Sequence, residues 1–331
     1  MRQVRLGRST NRSTRLAFGG AALGNLFTPV PETVATAALD AAWAAGIRSF
    51  DTAPHYGLGL SERRIGRYLR ERPRDAYHLS TKVGRLLEPV PCGPTGDDLD
   101  NGFAVAATHT RHWDFSADGV RRSLEESLAR LGLDRIDTVY LHDPDDHARQ
   151  ALEEAYPALE RLRAEGVVGA IGIGMNQSAL PARFVRDTDI DAVLLAGRYT
   201  LLDQSALQDL LPAAAEHGVS VVVGGVFNSG LLAAPRPGAT FDYTSAPEHL
   251  VARALRMEEV CTWHGVPLRA AAVRFALAHP AVAGVLVGAR NAEEITDAAQ
   301  QYARPIPAAL WADLRSAGLL GAGIPTPEDD H

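Results

Sequence analysis

One pattern runs through most of the chain: short apolar segments rich in β-branched residues alternate with longer segments of helical periodicity. The apolar segments are continuous rather than alternating, which is typical of parallel strands buried on both faces. There are eight, at 16–20, 47–52, 78–82, 136–142, 168–174, 192–195, 219–224 and 282–288. A helical segment follows each, at about 31–45, 61–71, 117–131, 149–165, 178–187, 204–217, 248–264 and 291–301.

Eight strand-then-helix units predict an α/β fold of the (β/α)8 or TIM-barrel type. A doubly wound parallel sheet is the alternative, but residues 19–24 lack the glycine spacing of its dinucleotide fingerprint. No linker-like segment divides the chain. We therefore predict a single domain over residues 1–331, with a core at about 5–302 and an irregular C-terminal arm at 303–331. That arm should hold one short helix and end in an acidic stub.

Two connections are too long to be simple turns. Residues 83–116 follow the third predicted strand and residues 225–247 follow the seventh, and both are rich in Gly, Pro, Asn and Asp. Loops after the strands build the active sites of α/β barrels. We therefore expect these two connections to form walls of a pocket.

The charge pattern limits the kinds of partner. The 40 acidic and 33 basic residues are scattered without long runs of one sign, so neither nucleic acid nor an anionic membrane surface is a predicted partner. No apolar run reaches the roughly 18 residues of a membrane span. Cys92 and Cys261 form neither a disulfide framework nor a paired metal motif. We predict a cytoplasmic protein that acts on small molecules, and the sequence leaves its oligomeric state open.

Lys82 is the only lysine in the chain, and arginine stands at every other position occupied by a lysine or an arginine. A compact ammonium on a flexible stem performs tasks that a planar guanidinium cannot. Lys82 is therefore a candidate functional residue. An accident of compositional bias is the alternative interpretation.

Polar side chains stand at or just after the ends of three consecutive predicted strands: Asp51 with Tyr56, then Lys82, then His142. In a barrel these groups converge at the mouth. An ammonium beside a tyrosine stabilises the phenolate and lowers the pKa of the phenol, and Asp51 could hold the lysine in place. His142 could orient the oxygen of a carbonyl or alcohol. The set predicts proton transfer to an oxygen, which pairs naturally with hydride transfer involving a nicotinamide.

Each of these residues also has a purely structural interpretation. Asp51 could be a turn or N-cap residue, and Tyr56 could be a packing residue. His142 and the acids that follow it could begin a metal site. Because no second strand-end cluster of ligand-type residues joins them, we predict no metal.

The motifs around these residues resemble those of the aldo-keto reductase family. Residues 51–57 (DTAPHYG), with Ser61-Glu62 beyond, are similar to the family signature. Residues 80–85 (STKVGR) and 140–142 (YLH) look like the segments that carry its lysine and histidine. The resemblance covers about residues 5–300. It is strongest to the bacterial branch that oxidises sugars such as L-fucose, L-galactose or D-arabinose at C1, with pyridoxal dehydrogenase as a close relative.

This resemblance implies an NAD(P)-dependent oxidoreductase that converts an aldose to its lactone, with Asp51, Tyr56, Lys82 and His142 as catalytic residues. A carbonyl or aldehyde reductase, or a pyridoxal 4-dehydrogenase, would use the same residues and is the alternative. A metal-dependent barrel enzyme and a nucleotide-binding subunit without turnover are more remote ones.

The resemblance also implies contacts with the cofactor. Asn176 would bond the nicotinamide carboxamide. Phe227 and the turn at 230–232 would cover the pyrophosphate, and residues 288–290 would meet the adenosine phosphate side. The candidates are Asn176, Gly225, Phe227, Gly230, Leu231, Gly288, Ala289, Arg290 and Glu294. Relatives that prefer NADP carry basic residues where Gly288 and Glu294 stand. A carboxylate repels a 2′-phosphate and accepts a bond from a 2′-hydroxyl, so NAD is predicted to be preferred, with NADP possible through Arg290.

Three residues are candidates for binding the substrate. Trp113 could present an apolar face to a pyranose ring, while His55 or Asp143 could bond the sugar hydroxyls. For Trp113 the alternative is that it packs the long connection onto the barrel.

Overall fold

Eight parallel strands close into a barrel in the computed structural model, which describes residues 1–91, 93–94 and 96–327. Each strand pairs with the next along the chain, and the eighth pairs with the first. The strands are β1 (Leu16–Gly19), β2 (Ser49–Asp51), β3 (His78–Val83), β4 (Ile136–His142), β5 (Val168–Met175), β6 (Ala192–Ala196), β7 (Ser220–Gly224) and β8 (Val282–Gly288). The predicted α/β barrel is confirmed.

Helices surround this barrel. The longer ones are α1 (Glu32–Ala44), α2 (Leu60–Leu69), α3 (Ala117–Leu131), α4 (Tyr156–Ala164), α5 (Ala179–Asp187), α6 (Leu210–His217), α7 (Glu248–Trp263), α8 (Leu268–Ala276), α9 (Ala292–Ala303) and α10 (Ala308–Ser316). A helical turn at Ala148–Gln150 and a π-helix at Ala151–Ala155 lead directly into α4. None of them, in the described part of the chain, combines the length and apolar character that crossing a bilayer requires.

The sequence pattern missed α8. Seven of its nine residues are buried, so the helix has almost no polar face to produce an amphipathic signal. The short helix expected in the C-terminal arm is α10, whereas the acidic stub expected at 328–331 lies outside the described residues.

Side chains fill the barrel from its N-terminal end. Tyr140, Leu194 and Val222 form a buried cluster with Leu6, which follows the first strand of the N-terminal hairpin Gln3–Arg5 and Arg12–Thr14. The main apolar core lies between the strands and the helices. This packing leaves the C-terminal ends of the strands as the place where a site can form.

Both long connections fold over that end, as predicted. The one after β3 contains the antiparallel pairs Arg85–Pro89 with His109–Trp113 and Asp97–Asp98 with Phe103–Ala106. A bridge from Leu26 to Phe103 joins this connection to the loop after β1.

Candidate active site

The four side chains predicted to converge are brought together by the strands. Asp51 is the last residue of β2, Lys82 lies one residue before the end of β3, and His142 ends β4. Tyr56 stands in the turn that follows β2. Asp51, Lys82 and His142 are all at most 5% exposed.

The ammonium of Lys82 is held on two sides. Its Nζ donates to Oδ2 of Asp51 at 2.6 Å and to the carbonyl of Thr52 at 3.0 Å. The second carboxylate oxygen of Asp51 accepts a hydrogen bond from Ser80 Oγ at 2.8 Å. Lys82 Nζ lies 4.6 Å from the centre of the Tyr56 ring. The charge is therefore fixed beside the phenol.

The pKa of Tyr56 does not follow the expectation from sequence. Burial raises it to about 12, although Lys82 acts in the opposite direction through its charge and a hydrogen bond. The lysine has the predicted sign, but desolvation of the enclosed phenol is the larger effect, and Asp51 adds to it. The phenol is protonated at neutral pH, and the ammonium limits how far its pKa rises.

Lys82 itself stays charged. Burial lowers the pKa of its ammonium, but the charges of Asp51 and Tyr56 and their hydrogen bonds outweigh that effect and raise the pKa above its usual value. A permanent positive charge next to the phenol favours the phenolate that proton abstraction requires.

His142 is a neutral imidazole in this setting. Burial, together with the cations Arg85 and Lys82, holds its pKa well below the usual range. Its ring is nearly perpendicular to that of Tyr56, with the ring centres 5.9 Å apart. A neutral ring can orient a substrate oxygen through a hydrogen bond without competing with Tyr56 as an acid.

A cavity of about 430 Å³ opens over this cluster. Tyr56, Lys82 and His142 line it, and so do the predicted substrate residues His55 and Asp143. The connection after β3 contributes one wall, as its length predicted.

Trp113 does not line this cavity. The structure places it 39% exposed, at the end of the hairpin strand His109–Trp113. The guanidinium of Arg85 lies 5.2 Å from its ring centre, and Arg85 in turn pairs with Asp143. The contact of Trp113 with Arg85 favours the alternative interpretation, in which the indole packs the long connection onto the barrel.

A second cavity, of about 550 Å³, extends from Tyr56 along the ends of β1, β7 and β8. Most of the predicted cofactor residues line it: Gly225, Phe227, Gly230, Gly288, Arg290 and Glu294. Asn176 lines the first cavity instead. Leu231 and Ala289 line neither, because their side chains pack into the apolar core, where both are at most 1% exposed. Any contact of these two residues with the cofactor would therefore involve their backbone, and it stays a prediction.

The second cavity fits a dinucleotide. Its size falls in the range of cofactor pockets, and it shares Tyr56, Ala196 and Tyr243 with the first cavity, so a ligand in it can reach the phenol. A Cβ added at Gly224, Gly230 or Gly288 would meet no atom closer than 3.7 Å. Because these three glycines have no side chain, a phosphate can approach the backbone closely at each of them.

The sequence did not reveal what holds the loop after β1 against this cavity. Arg64 of α2 is 8% exposed and donates to the carbonyls of Leu23 and Val30, both at 2.7 Å. It also bonds the side chains of Asn25 and Glu32, both at 2.9 Å. An arginine in an amphipathic helix gives no sequence signal that it is buried.

A second feature missed by the sequence is an aromatic pair over the cavities. Phe27, in the loop after β1, and Tyr243, in the connection after β7, have ring centres 5.9 Å apart. Both residues line both cavities. They lie far apart in the sequence and in loops without periodicity, so no pattern could connect them.

An α/β barrel that brings Asp51, Tyr56, Lys82 and His142 together beside a dinucleotide-sized cavity is typical of a nicotinamide-dependent oxidoreductase. Residues 15–318 match the aldo/keto reductase family. The chain belongs to that family, as its motifs predicted, and NAD(P) is therefore its class of cofactor.

Relatives match nearly the whole chain. It is 50% identical to a D-threo-aldose 1-dehydrogenase of Pseudomonas sp, over 94% of this chain and 95% of the relative. It is 41% identical to a pyridoxal 4-dehydrogenase of Microbacterium luteolum, covering 95% and 97%. Among solved structures, an aldo-keto reductase of Bacillus halodurans in its holo form superposes with a TM-score of 0.76 at 28% identity, covering 98% of both chains.

Proposed function

We propose that the protein oxidises a neutral aldose at its anomeric carbon to the lactone and prefers NAD. The observation that carries this proposal is the position of Tyr56, beside the ammonium of Lys82 and at the junction of the two cavities. The similarity to D-threo-aldose 1-dehydrogenase supports a sugar as the substrate.

The proposed chemistry assigns one task to each side chain. Tyr56, as its phenolate, accepts the proton of the C1 hydroxyl, and Lys82 stabilises that phenolate. Asp51 keeps the ammonium in position, and His142 hydrogen-bonds the C1 oxygen as its bond to carbon becomes double. When bound, NAD(P) supplies the acceptor for the hydride that leaves C1.

The charges around the substrate cavity favour a neutral sugar. Among the described residues that line this cavity, Lys82 is the one cation, and Asp100 adds a negative charge. Arg85 and Arg111 lie behind the lining, against Asp143 and His55, and like Lys82 each pairs with a carboxylate. A phosphorylated sugar would find no uncompensated cation there. The three pairs are Lys82–Asp51, Arg85–Asp143 and Arg111–Asp98.

The preference for NAD is argued from Arg290 and Glu294. Arg290 Nε donates to Glu294 Oε1 at 2.9 Å, and its backbone N–H donates to Oε2 at 2.8 Å. A 2′-phosphate would have to displace this carboxylate from the guanidinium and would be repelled by it. A 2′-hydroxyl can instead donate a hydrogen bond to Glu294.

A panel of free and phosphorylated aldoses tests the proposal. Each sugar is mixed with NAD or NADP, and the absorbance of the reduced nicotinamide is followed while the lactone is trapped with hydroxylamine. We expect turnover of free aldoses, faster with NAD. If no aldose is oxidised with either nucleotide, the proposal is wrong.

Pyridoxal is a second candidate substrate, favoured by the 41% identical pyridoxal 4-dehydrogenase. Phe27, Phe103 and Tyr243 line the substrate cavity and offer apolar faces to an aromatic ring. Pyridoxal therefore belongs in the same panel, where its oxidation is assayed. The reduction of pyridoxal and of simple aldehydes by NADH is assayed as the reverse reaction. A kcat/KM for pyridoxal above that of every aldose would select this candidate.

We further propose that residues 1–331 act as one domain in the cytoplasm, without a nucleic-acid or membrane partner. A single cooperative unfolding transition and recovery of activity in the soluble fraction of cells would support this. Two separated transitions would contradict the single domain.

A further inference from the structure

We propose that a buried ion pair between Asp98 and Arg111 fixes the tautomer of His55, so that His55 presents its Nε2–H to the substrate as a hydrogen-bond donor. The inference rests on the proposed sugar oxidation and deepens it. His55 becomes a specificity-determining residue of the substrate cavity, and Asp98 and Arg111 become positioning residues that act through it.

The ion pair is rigid and enclosed. Arg111 Nη1 donates to Asp98 Oδ1 at 2.7 Å, and Nη2 donates to Oδ2 at 2.5 Å. Both side chains are 4% exposed. Two parallel hydrogen bonds fix the plane of the guanidinium as well as its position. Separating the two side chains would leave a buried charge uncompensated, and the free-energy cost of that keeps the pair together.

The orientation of Arg111 determines which nitrogen of His55 carries the proton. Arg111 Nε lies 2.5 Å from His55 Nδ1, and Nη2 donates to the His55 carbonyl at 3.1 Å. A guanidinium in a protein is always protonated and can only donate. Nδ1 must therefore accept, and the single proton of the neutral imidazole resides on Nε2.

His55 stays neutral over the working range of pH. Burial, together with the cations Arg85, Arg111 and Lys82, lowers its pKa to about 2. The fixed N–H is thus a permanent property of the site.

The His55 ring lies near the side chains that would engage the reacting atoms. The His55 ring lines the substrate cavity, with its centre 5.7 Å from that of His142 and 6.2 Å from that of Tyr56. Phe103 packs edge-on against it at 5.1 Å. Arg111 occupies Nδ1, which leaves Nε2–H as the polar group that the ring can offer to a ligand. Since His142 and Tyr56 engage the C1 oxygen, His55 is placed to donate to a neighbouring oxygen of the sugar.

The same cavity holds an acceptor. The carboxylate of Asp143 is paired with Arg85, and its Oδ2 lies 3.7 Å from His142 Nε2. A donor of fixed direction and an anchored acceptor together select sugars by the positions of their hydroxyls. A site built to bond a hydroxyl rejects an analogue that lacks it, because the site's own polar group is then left unpaired.

The test compares replacements of His55 that differ in what they can donate. In His55→Gln the amide oxygen can accept from Arg111 while the NH2 group donates to the cavity, whereas His55→Phe can do neither. We expect His55→Phe to raise KM for the best aldose about tenfold or more with a smaller change in kcat, and His55→Gln to retain most of the affinity. The Kd for NAD should be unchanged in both variants.

Arg111→Met tests the positioning role, with Arg122→Met, a half-exposed arginine on α3, as its matched control. Nitrogen-15 NMR of the wild type should show His55 as the Nε2–H tautomer, with His55→Gln assigning the signal. In Arg111→Met the signal should shift toward a mixture of tautomers and KM should rise about tenfold. Arg122→Met should leave both unchanged.

Three outcomes would overturn the inference. They are an Nδ1–H tautomer in the wild type, a folded Arg111→Met variant with unchanged tautomer and KM, or equal KM values for His55→Gln and His55→Phe. If Arg111→Met fails to fold, the two His55 variants still decide the donor role. If the wild type oxidises no aldose, the proposed function fails, while the NMR result still tests the tautomer by itself.

Discussion

Oδ2 of Asp51 lies 2.6 Å from Nζ of Lys82, and both side chains are almost completely buried. Because this ammonium is enclosed, it cannot move as an exposed lysine side chain would. Its ion pair with Asp51 keeps it charged and in one position. The neighbouring phenol of Tyr56 therefore experiences a fixed field, which is the physical basis of the proposed proton transfer.

Replacing Tyr56 by phenylalanine should abolish turnover. The ring remains and the proton acceptor is lost, so kcat should fall by at least about a thousandfold while the Kd for NAD changes little. Stopped-flow absorbance and fluorescence titration measure the two quantities. Tyr302→Phe, on α9, is the control and should behave as wild type. Substantial turnover by Tyr56→Phe would remove Tyr56 from this role.

The rate of aldose oxidation should rise with pH between about 6 and 8. Burial raises the pKa of Tyr56 to about 12, so the phenolate is scarce at neutral pH and its fraction grows as pH increases. The pKa values of His142 and His55 lie far below this window, so neither adds a second limb. The reverse reduction needs the protonated phenol and should be nearly flat. Profiles of kcat/KM in both directions check this, and a flat oxidation profile would contradict it.

Lys82→Met should destabilise the fold as well as remove activity. It leaves the carboxylate of Asp51 buried without its cation, at a cost of about 3–5 kcal/mol. Adding Asp51→Asn removes that charge, so the double variant should be more stable than Lys82→Met alone while remaining inactive. Urea unfolding of the wild type, both single variants and the double variant measures the coupling. Additive losses would show that the pair does not act as a unit.

Glu294→Gln should shift the cofactor preference toward NADP. The substitution removes the repulsive charge and releases Arg290 for a 2′-phosphate, so the ratio of kcat/KM for NADP over NAD should rise about tenfold or more. Glu293→Gln removes one negative charge from the neighbouring residue, whose side chain is exposed, and serves as the control. An unchanged ratio in Glu294→Gln would refute the electrostatic argument.

Arg64→Met should loosen the loop after β1. The carbonyls of Leu23 and Val30 lose their donors, which should lower the free energy of unfolding by about 2–4 kcal/mol and raise the Kd for NAD several-fold. Arg67→Met is a matched control, because Arg67 pairs with the same Glu32 but is 62% exposed, and it should cost under about 1 kcal/mol. Equal losses in the two variants would contradict the proposed difference.

The candidate site was only partly readable from the sequence. Asp51, Lys82 and His142 could be placed because each is tied to a strand end, and strand ends meet in a barrel. For Trp113 the sequence left two interpretations open, because the residue lies in a hairpin whose course depends on pairing between Arg85–Pro89 and His109–Trp113. The burial of the Leu231 and Ala289 side chains was not foreseen, because a loop position does not reveal whether a side chain faces a cavity or the core.

The sequence by itself determined the barrel, the family and the order of the strand-end residues, since these follow from patterns that repeat along the chain and from short local motifs. Only the tertiary structure decided the protonation of Tyr56 and the partners of His55. Burial and pairing depend on which distant segments close over a group, and Asp98, Arg111 and His55 lie in three separate stretches of loop and hairpin. The pKa values and ion pairs of the site therefore depend on how the loops assemble. The barrel backbone that supports the site is already specified by the repeating pattern of strands and helices.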